Sequence, residues 1–261
     1  MKNNMRLLVS MIMLTFLIFK AVSGQAQVAT PLNTLSAAEK KEGWKLLFDG
    51  KTINGWRSYY QTDSPSKWII EDGCLKNPKG NGRPRTGGGD LMTDELFTDF
   101  DLRFEWSIQE GGNSGLIYFF QERQNKPGIR MYMGDDGTSP VGFEYQLLDD
   151  GRNADAIQNG PLHAAGSLYF VFAPNDSKKL KPAGQFNESR IIVQGNHVEH
   201  WLNGTKIVSF DFGSQELKDA IAKSKYKSVP GFGVKAPTRI MLQDHGDVIR
   251  FRNIKIRALS K

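Results

Sequence analysis

Phe100-Asp101-Leu102-Arg103-Phe104-Glu105-Trp106-Ser107-Ile108 alternates apolar and polar side chains without a break. One face is Phe, Leu, Phe, Trp and Ile; the other is Asp, Arg, Glu and Ser. Period two over this length is the signature of a half-buried antiparallel strand. Phe143-Glu144-Tyr145-Gln146-Leu147 repeats the pattern. Val248 to Ile256 follows it less cleanly, setting Val248, Arg250, Arg252, Ile254 and Ile256 against Ile249, Phe251, Asn253 and Lys255. Shorter apolar runs predict further strands at Leu46 to Phe48, Trp68 to Ile70, Leu116 to Phe120, Ser167 to Phe172, Arg190 to Val193, His197 to Leu202 and Ile207 to Phe210.

Turn signals separate these runs. Glu71-Asp72-Gly73, Gln194-Gly195-Asn196 and Asn203-Gly204 read as hairpins, because Asn, Asp and Gly reach positive φ cheaply. Only Thr34 to Lys41 and Ser214 to Ser224 have helical character, the second with Leu217, Ala220 and Ile221 on one side. Many short strands with frequent turns predict an all-β sandwich of two antiparallel sheets. No linker divides the chain, so residues 42–261 are expected to be one domain behind a short tail, 27–41. Gly80 to Gly89 is expected to be an exposed loop.

Residues 1–26 read as a secretory signal. Lys2 and Arg6 precede an apolar run from Leu7 to Phe19, and Gly24-Gln25-Ala26 offers small residues for cleavage after Ala26. The run is short for a membrane span. A secreted or periplasmic protein without a stable membrane span is therefore expected. Loss of Lys2, Arg6 and Lys20 lowers the formal charge from +6 to +3. That small and scattered excess does not fit nucleic-acid binding. The Lys223 to Lys227 stretch reads as solvated surface. One cysteine rules out an internal disulfide framework.

Polar residues alternating with core positions are the candidate site. Glu144 and Gln146 point outward together, between Phe143, Tyr145 and Leu147. Gln243 and His245 share a side of Ile240 to Gly246. Asn113 and Ser114 sit among glycines just before an apolar run, where a ligand can approach the backbone. A carboxylate, an imidazole and several amides on one surface suit a sugar. His200, beside Trp201, is read as structural. Asp149 to Gly160 lacks the closing Glu of a calcium loop, and no phosphate loop, nucleophile elbow or zinc-protease helix is present.

Ten segments in order carry a further resemblance. They include Leu47-Phe48-Asp49-Gly50-Lys51-Thr52 with Gly55-Trp56, Gly112-Asn113-Ser114-Gly115, Gly142 to Asp149, Gly166-Ser167-Leu168-Tyr169, His200 to Gly204, and Leu242-Gln243-Asp244-His245-Gly246 with Phe251 to Ile254. Over about Glu42 to Leu259 the chain resembles the 3-keto-disaccharide hydrolase family. It departs at Phe119-Phe120, where an arginine often stands, and at Ala164-Ala165. The resemblance implies a concanavalin A-like jelly roll and cleavage of glycosides bearing a ketone at C3. Such a ketone acidifies the C2 hydrogen, so a base can form an enolate and the C1 substituent can leave, by hydrolysis or elimination overall. Glu144 and His245 are the candidate acid-base pair. They are also candidate ligands for a divalent metal that would polarise the ketone. Asn113, Gln146 and Gln243 would orient hydroxyls, and Tyr169 with His163 would contact the second sugar. A separate sugar 3-dehydrogenase is expected to supply the ketone. The alternative is a non-catalytic, lectin-like carbohydrate-binding module. An ordinary glycosidase would need a second carboxylate across the site.

Overall fold

A computed structural model describes residues 31–59, 67–120 and 141–259. Residues 1–26, read from sequence as a secretory signal, and the first residues of the expected tail, 27–30, lie outside them. In chain order the strands are Lys45–Leu46 (β1), Trp56–Ser58 (β2), Ile69–Glu71 (β3), Cys74–Asn77 (β4), Leu91–Thr93 (β5), Phe100–Ile108 (β6), Asn113–Tyr118 (β7), Phe143–Leu148 (β8), Asn187–Gln194 (β9), His197–Leu202 (β10), Thr205–Asp211 (β11), Met241–Leu242 (β12) and Ile249–Ala258 (β13). The helices are Ala37–Lys41 (α1), Ala154–Asn159 (α2) and Gln215–Lys223 (α3), with a 3₁₀ turn at Pro161–His163. None of the described helices is long and apolar enough to cross a membrane.

The strands form two antiparallel sheets. The larger runs β11-β10-β9-β6-β13-β4-β3, with β1 also pairing with β13. The smaller runs β2-β5-β12-β7-β8. Between them lie the inward residues of the opening strand, Phe100, Leu102, Phe104, Trp106 and Ile108, against Leu116, Tyr118, Phe143, Tyr145 and Leu147 from the smaller sheet. Phe143 stacks on Phe212 at 5.4 Å between ring centroids, and Tyr118 meets Phe143 edge-on at 5.8 Å. This all-β sandwich is the one the alternation predicts.

The turns follow their residues. Asp72-Gly73 (φ 52° and 70°) and Asn203-Gly204 (φ 47° and 80°) take left-handed conformations and join paired residues Glu71↔Cys74 and Leu202↔Thr205. Side chains of Ser36 and Ser214 cap α1 and α3.

Three expectations are corrected. Alternation in β13 breaks because the pairing with β6 shifts between Arg252 and Lys255, where Asn253 has φ 51°. The bulge lets Ile249 and Phe251 on one side of it and Ile254 and Ile256 on the other all face the core. Ser167 to Phe172 is not a strand. Phe170 takes φ 64° and the chain folds back, so that Leu168 pairs with both Tyr145 and Phe172. Gly80 to Gly89 is only partly an exposed loop. Its tip is exposed, but the amides of Gly87 and Gly89 both donate to Asp244 Oδ2, at 2.9 and 2.8 Å.

Candidate functional site on the outer face of the smaller sheet

Register assigns the outward side chains. Ile117 pairs with Glu144 and Gly115 with Gln146 across β7 and β8. Met241 pairs with Ile117 and Met92 across β12. Beyond β12, the Gln243 amide donates to the Gly115 carbonyl at 2.9 Å. At the other edge, the Tyr169 amide donates to the Glu144 carbonyl at 3.0 Å, the Gly166 amide donates to the Gln146 carbonyl at 2.8 Å, and the Gln146 amide donates to the Ser167 carbonyl at 3.3 Å. The outer face therefore gathers Asn113, Gly115, Glu144, Gln146, Ser167, Tyr169 and Gln243 around a small apolar cluster of Tyr59, Met92, Ile117, Phe120 and Met241. β7 begins at Asn113, not at Leu116, so Asn113 and Ser114 are part of the sheet.

Glu144 dominates the chemistry. Its side chain lies directly over Gly115, where a β-carbon would come within 2.3 Å of Oε1. Only glycine leaves room for the carboxylate there. The residue is 9% exposed. Burial pushes its pKa up to about 7; the Lys225 charge opposes the rise, while Asp155 and Asp90 add to it. No hydrogen bond among the described residues stabilises the carboxylate.

His245 is held by its neighbours. Asp244, fully buried, accepts from Asn77 Nδ2 (2.7 Å), Gly246 N (2.7 Å) and the two glycine amides. Asp247 accepts from Gln109 Nε2 (2.8 Å) and from the backbone amide of Asn113 (2.9 Å). Two structural carboxylates thus pin the backbone on either side of the imidazole. Burial lowers the His245 pKa and Lys225 lowers it further, against Asp247, Asp244 and Asp155. At neutral pH it is an uncharged imidazole. Glu144 and His245 share Asp155 and Lys225 as electrostatic neighbours.

Asn113 Oδ1, Gln243 Oε1 and Ser167 Oγ are buried without a hydrogen-bond partner among the described residues. Unpaired buried acceptors carry a desolvation cost of about 1–3 kcal/mol each unless something bonds them, so they are fit to receive hydroxyls. Gln146 differs from its expectation. It is 1% exposed, and its Oε1 accepts from the next backbone amide, Leu147 N, at 3.1 Å.

Tyr169 and His163 meet through a residue the sequence reading left without a role. Asp155, in α2, accepts from Tyr169 Oη at 2.8 Å and bonds His163 Nδ1 at 2.8 Å. His163 is buried with its ring 4.9 Å from that of Tyr169. It braces Tyr169 from behind. Lys225, read from sequence as solvated, lies over the rings of Tyr169 (4.7 Å), Phe170 (4.6 Å) and Tyr226 (5.2 Å). Nothing in its local sequence distinguishes it from Lys223 or Lys227; only the fold does. His200 is structural, as read. Its Nδ1 donates to the Gly166 carbonyl at 3.0 Å, leaving Nε2 to accept from Tyr118 Oη at 2.7 Å, and burial lowers its pKa to about 4.

Among the described residues no three His, Cys, Asp or Glu side chains converge, and Glu144 with His245 makes only a pair.

Known proteins agree with this architecture. A Bacteroides thetaiotaomicron protein named 3-keto-disaccharide hydrolase is 33% identical over 246 residues, covering 88% of this chain and 83% of that one. A crystal structure described as a candidate glycosyl hydrolase from Parabacteroides distasonis is 31% identical, with a TM-score of 0.74 over 88% of this chain and 100% of that one. A second such structure from the same species, 24% identical with a TM-score of 0.55 over 83% of this chain and 99% of that one, shares the fold. The family described as the 3-keto-alpha-glucoside-1,2-lyase-like domain matches residues 43–257, and the chain belongs to this carbohydrate-active family of 3-keto-disaccharide hydrolases.

Proposed function

We propose that this protein cleaves glycosides whose sugar carries a C3 ketone, by removing the C2 proton and expelling the C1 substituent. The carrying observation is Glu144: a buried carboxyl on the outer face of the smaller sheet, with no hydrogen-bond partner among the described residues and a pKa near 7, seated over a glycine. Raising a carboxylate's pKa makes it a stronger base while it remains substantially ionised at neutral pH. Glu144 takes the C2 proton. The C–H electron pair becomes the C2=C3 bond and the ketone oxygen takes the negative charge. That charge then collapses, C1=C2 forms, and the C1–O bond breaks. The leaving oxygen recovers a proton from Glu144 or from water. Water adding across C1=C2 makes the outcome a hydrolysis.

His245, uncharged, serves as a hydrogen-bonding group and not as an imidazolium acid. Asn113 and Gln243 take the sugar hydroxyls. Tyr169, held by Asp155, flanks the leaving portion. Two names from similar proteins, a 3-keto-disaccharide hydrolase and a 3-keto-alpha-glucoside-1,2-lyase-like domain, support this substrate class. An ordinary two-carboxylate glycosidase fits less well, because the two acids that act on Glu144 among the described residues are committed: Asp155 to Tyr169 and His163, and Asp90 to Arg85 and the Asp244 amide. The reading includes export guided by residues 1–26 and a separate 3-dehydrogenase that supplies the ketone.

The test is turnover of a 3-keto-glucoside and of the same unoxidised glucoside. Wild-type protein is expected to release the aglycone only from the ketone, with kcat/KM rising with pH through about 7 as Glu144 ionises. Glu144→Gln is expected to lose about 10³-fold. Binding without release would make the protein a lectin-like module, and near-wild-type turnover by Glu144→Gln would remove the base.

A further inference from the structure

Register sets Tyr169 beside Glu144. Leu168 bridges Tyr145, and both side chains lie in the core between the sheets. The next residue, Tyr169, donates its amide to the Glu144 carbonyl at 3.0 Å. Alternation therefore turns the Tyr169 side chain to the outer face, alongside Glu144. We propose that Asp155 is a positioning residue: by taking the proton of the Tyr169 hydroxyl it leaves the phenol oxygen as a hydrogen-bond acceptor, which selects a free hydroxyl on the leaving portion of the substrate. This rests on the reading of the chain as cleaving 3-keto-glycosides at Glu144.

Three donors converge on Asp155. Its Oδ2 takes Tyr169 Oη at 2.8 Å, and its Oδ1 takes His163 Nδ1 and Asn159 Nδ2, both at 2.8 Å. Carboxylate oxygens accept and do not donate, so the proton in the Tyr169 bond sits on the phenol. Burial, the Glu144 charge and the bond to Asp155 all raise the Tyr169 pKa, which keeps that proton in place. Among the described residues Tyr169 Oη has no other hydrogen-bond partner. Its one proton is spent, and its remaining lone pair is open. The arrangement is anchored from behind. Asn153 accepts from the Asp155 amide at 2.9 Å and donates to the Gly111 carbonyl at 2.8 Å, which ties the start of α2 to the segment leading into Asn113. The rings of His163 and Phe170 each lie 4.9 Å from that of Tyr169.

The same polarity recurs on this face, where Asn113 Oδ1 and Gln243 Oε1 are unpaired acceptors among the described residues. A ligand group with a hydrogen to give is bonded there. A group with only lone pairs leaves both itself and the acceptor desolvated and unpaired, which is the costlier outcome. An isosteric change separates polarity from packing. The amide of Asp155→Asn has one oxygen and one NH₂. Two donors meet at Oδ1 and one at Oδ2, so the amide oxygen is drawn to the first position and the NH₂ faces Tyr169. The phenol then accepts from the amide and turns its own proton toward the ligand.

The test is a scan of 3-keto-disaccharides in which each hydroxyl of the leaving sugar is replaced in turn by hydrogen and by fluorine, which accepts but cannot donate. Wild type, Tyr169→Phe, Asp155→Asn and Glu144→Gln are compared, with the fold checked by circular dichroism. Wild type is expected to lose about tenfold in kcat/KM at one position, with hydrogen and fluorine alike and mostly through KM. Tyr169→Phe is expected to level that position. Asp155→Asn is expected to bring the fluoro substrate back toward the parent while the deoxy substrate stays poor. A wild type indifferent to every replacement, or the same sensitive position in Tyr169→Phe, overturns the acceptor assignment. Equal losses on all substrates in Asp155→Asn would make Asp155 a plain structural brace and overturn its role in polarity. Wild-type turnover by Glu144→Gln removes the base reading whatever the scan shows. The tyrosine Raman doublet of the free protein reads Tyr169 without turnover, as a difference from the matching Tyr169→Phe protein. It should report a donating phenol in wild type and an accepting one in Asp155→Asn, and an identical doublet in the two would sink the inference with the base reading untouched.

Discussion

The outer faces of the two sheets begin from the same sequence pattern and end in opposite chemistry. On the larger sheet Asp101 is 1% exposed, yet its carboxylate is saturated. Arg190 grips it with Nε and Nη2, both at 2.7 Å, Arg257 adds a bond at 3.0 Å, and Arg103 approaches to 3.8 Å. Trp44 lies under the guanidinium groups of Arg103 and Arg257, at 4.6 and 4.9 Å. On the smaller sheet Glu144 is almost as buried, but among the described residues neither it nor the amide oxygens of Asn113 and Gln243 has a hydrogen-bond partner. A buried carboxylate with its counter-charges in place is a strut. One without them carries a stability cost, which catalysis can use.

That contrast can be broken by experiment, first at the two carboxylates. The folded protein holds the Glu144 proton more tightly than the unfolded chain does, so stability is fullest below about 4.5 and falls as pH rises through about 7. The difference corresponds to about 3 kcal/mol. Glu144→Gln should therefore raise the unfolding free energy at pH 8 while cutting turnover about 10³-fold. Asp101→Asn should do the reverse, costing about 3 kcal/mol by leaving partly exposed arginines unpaired with kcat intact. Denaturant melts and turnover of both variants decide it. Equal stability changes of the same sign would erase the distinction.

Next is Gly115. An alanine there collides with the Glu144 carboxylate, so Gly115→Ala should cost about 10²-fold in kcat, since small misplacements of a reacting group carry penalties of that size. It should cost little in stability, because the carboxylate can swing outward. Steady-state kinetics beside a thermal melt would show this, and unchanged kcat would mean the base works from another position. The smallest effects are expected at Asn113→Ala and Gln243→Ala. Each should raise KM about tenfold or less, and each should be neutral or stabilising in the free protein, because an unpaired acceptor is removed.

Much of the molecule was legible in the chain. The unbroken alternation of Phe100 to Ile108, the Asn-Gly and Asp-Gly turns, and the outward pair Glu144 and Gln146 all follow from period two, which is a property of the extended backbone itself. The imperfect alternation of Val248 to Ile256 was a true signal of a bulge at Asn253, although its meaning emerges only from pairing with β6. The strand pattern picked out the candidate residues of the site. It did not separate Asp244 and Asp247, which hold loops, from His245 between them. It did not show that Gln146 spends its carbonyl on the backbone, or that His163 supports Tyr169.

What sequence determined by itself was which side chains stand on which side of each strand, because local backbone geometry fixes that. What only the tertiary structure decided was which charges meet. Asp101 finds Arg190 and Arg257 from other strands, Asp155 finds Tyr169 and His163, and Lys225 finds three rings. These encounters join residues distant in the chain, and the strength of a charge depends on the solvent and partners around it, which local pattern does not encode.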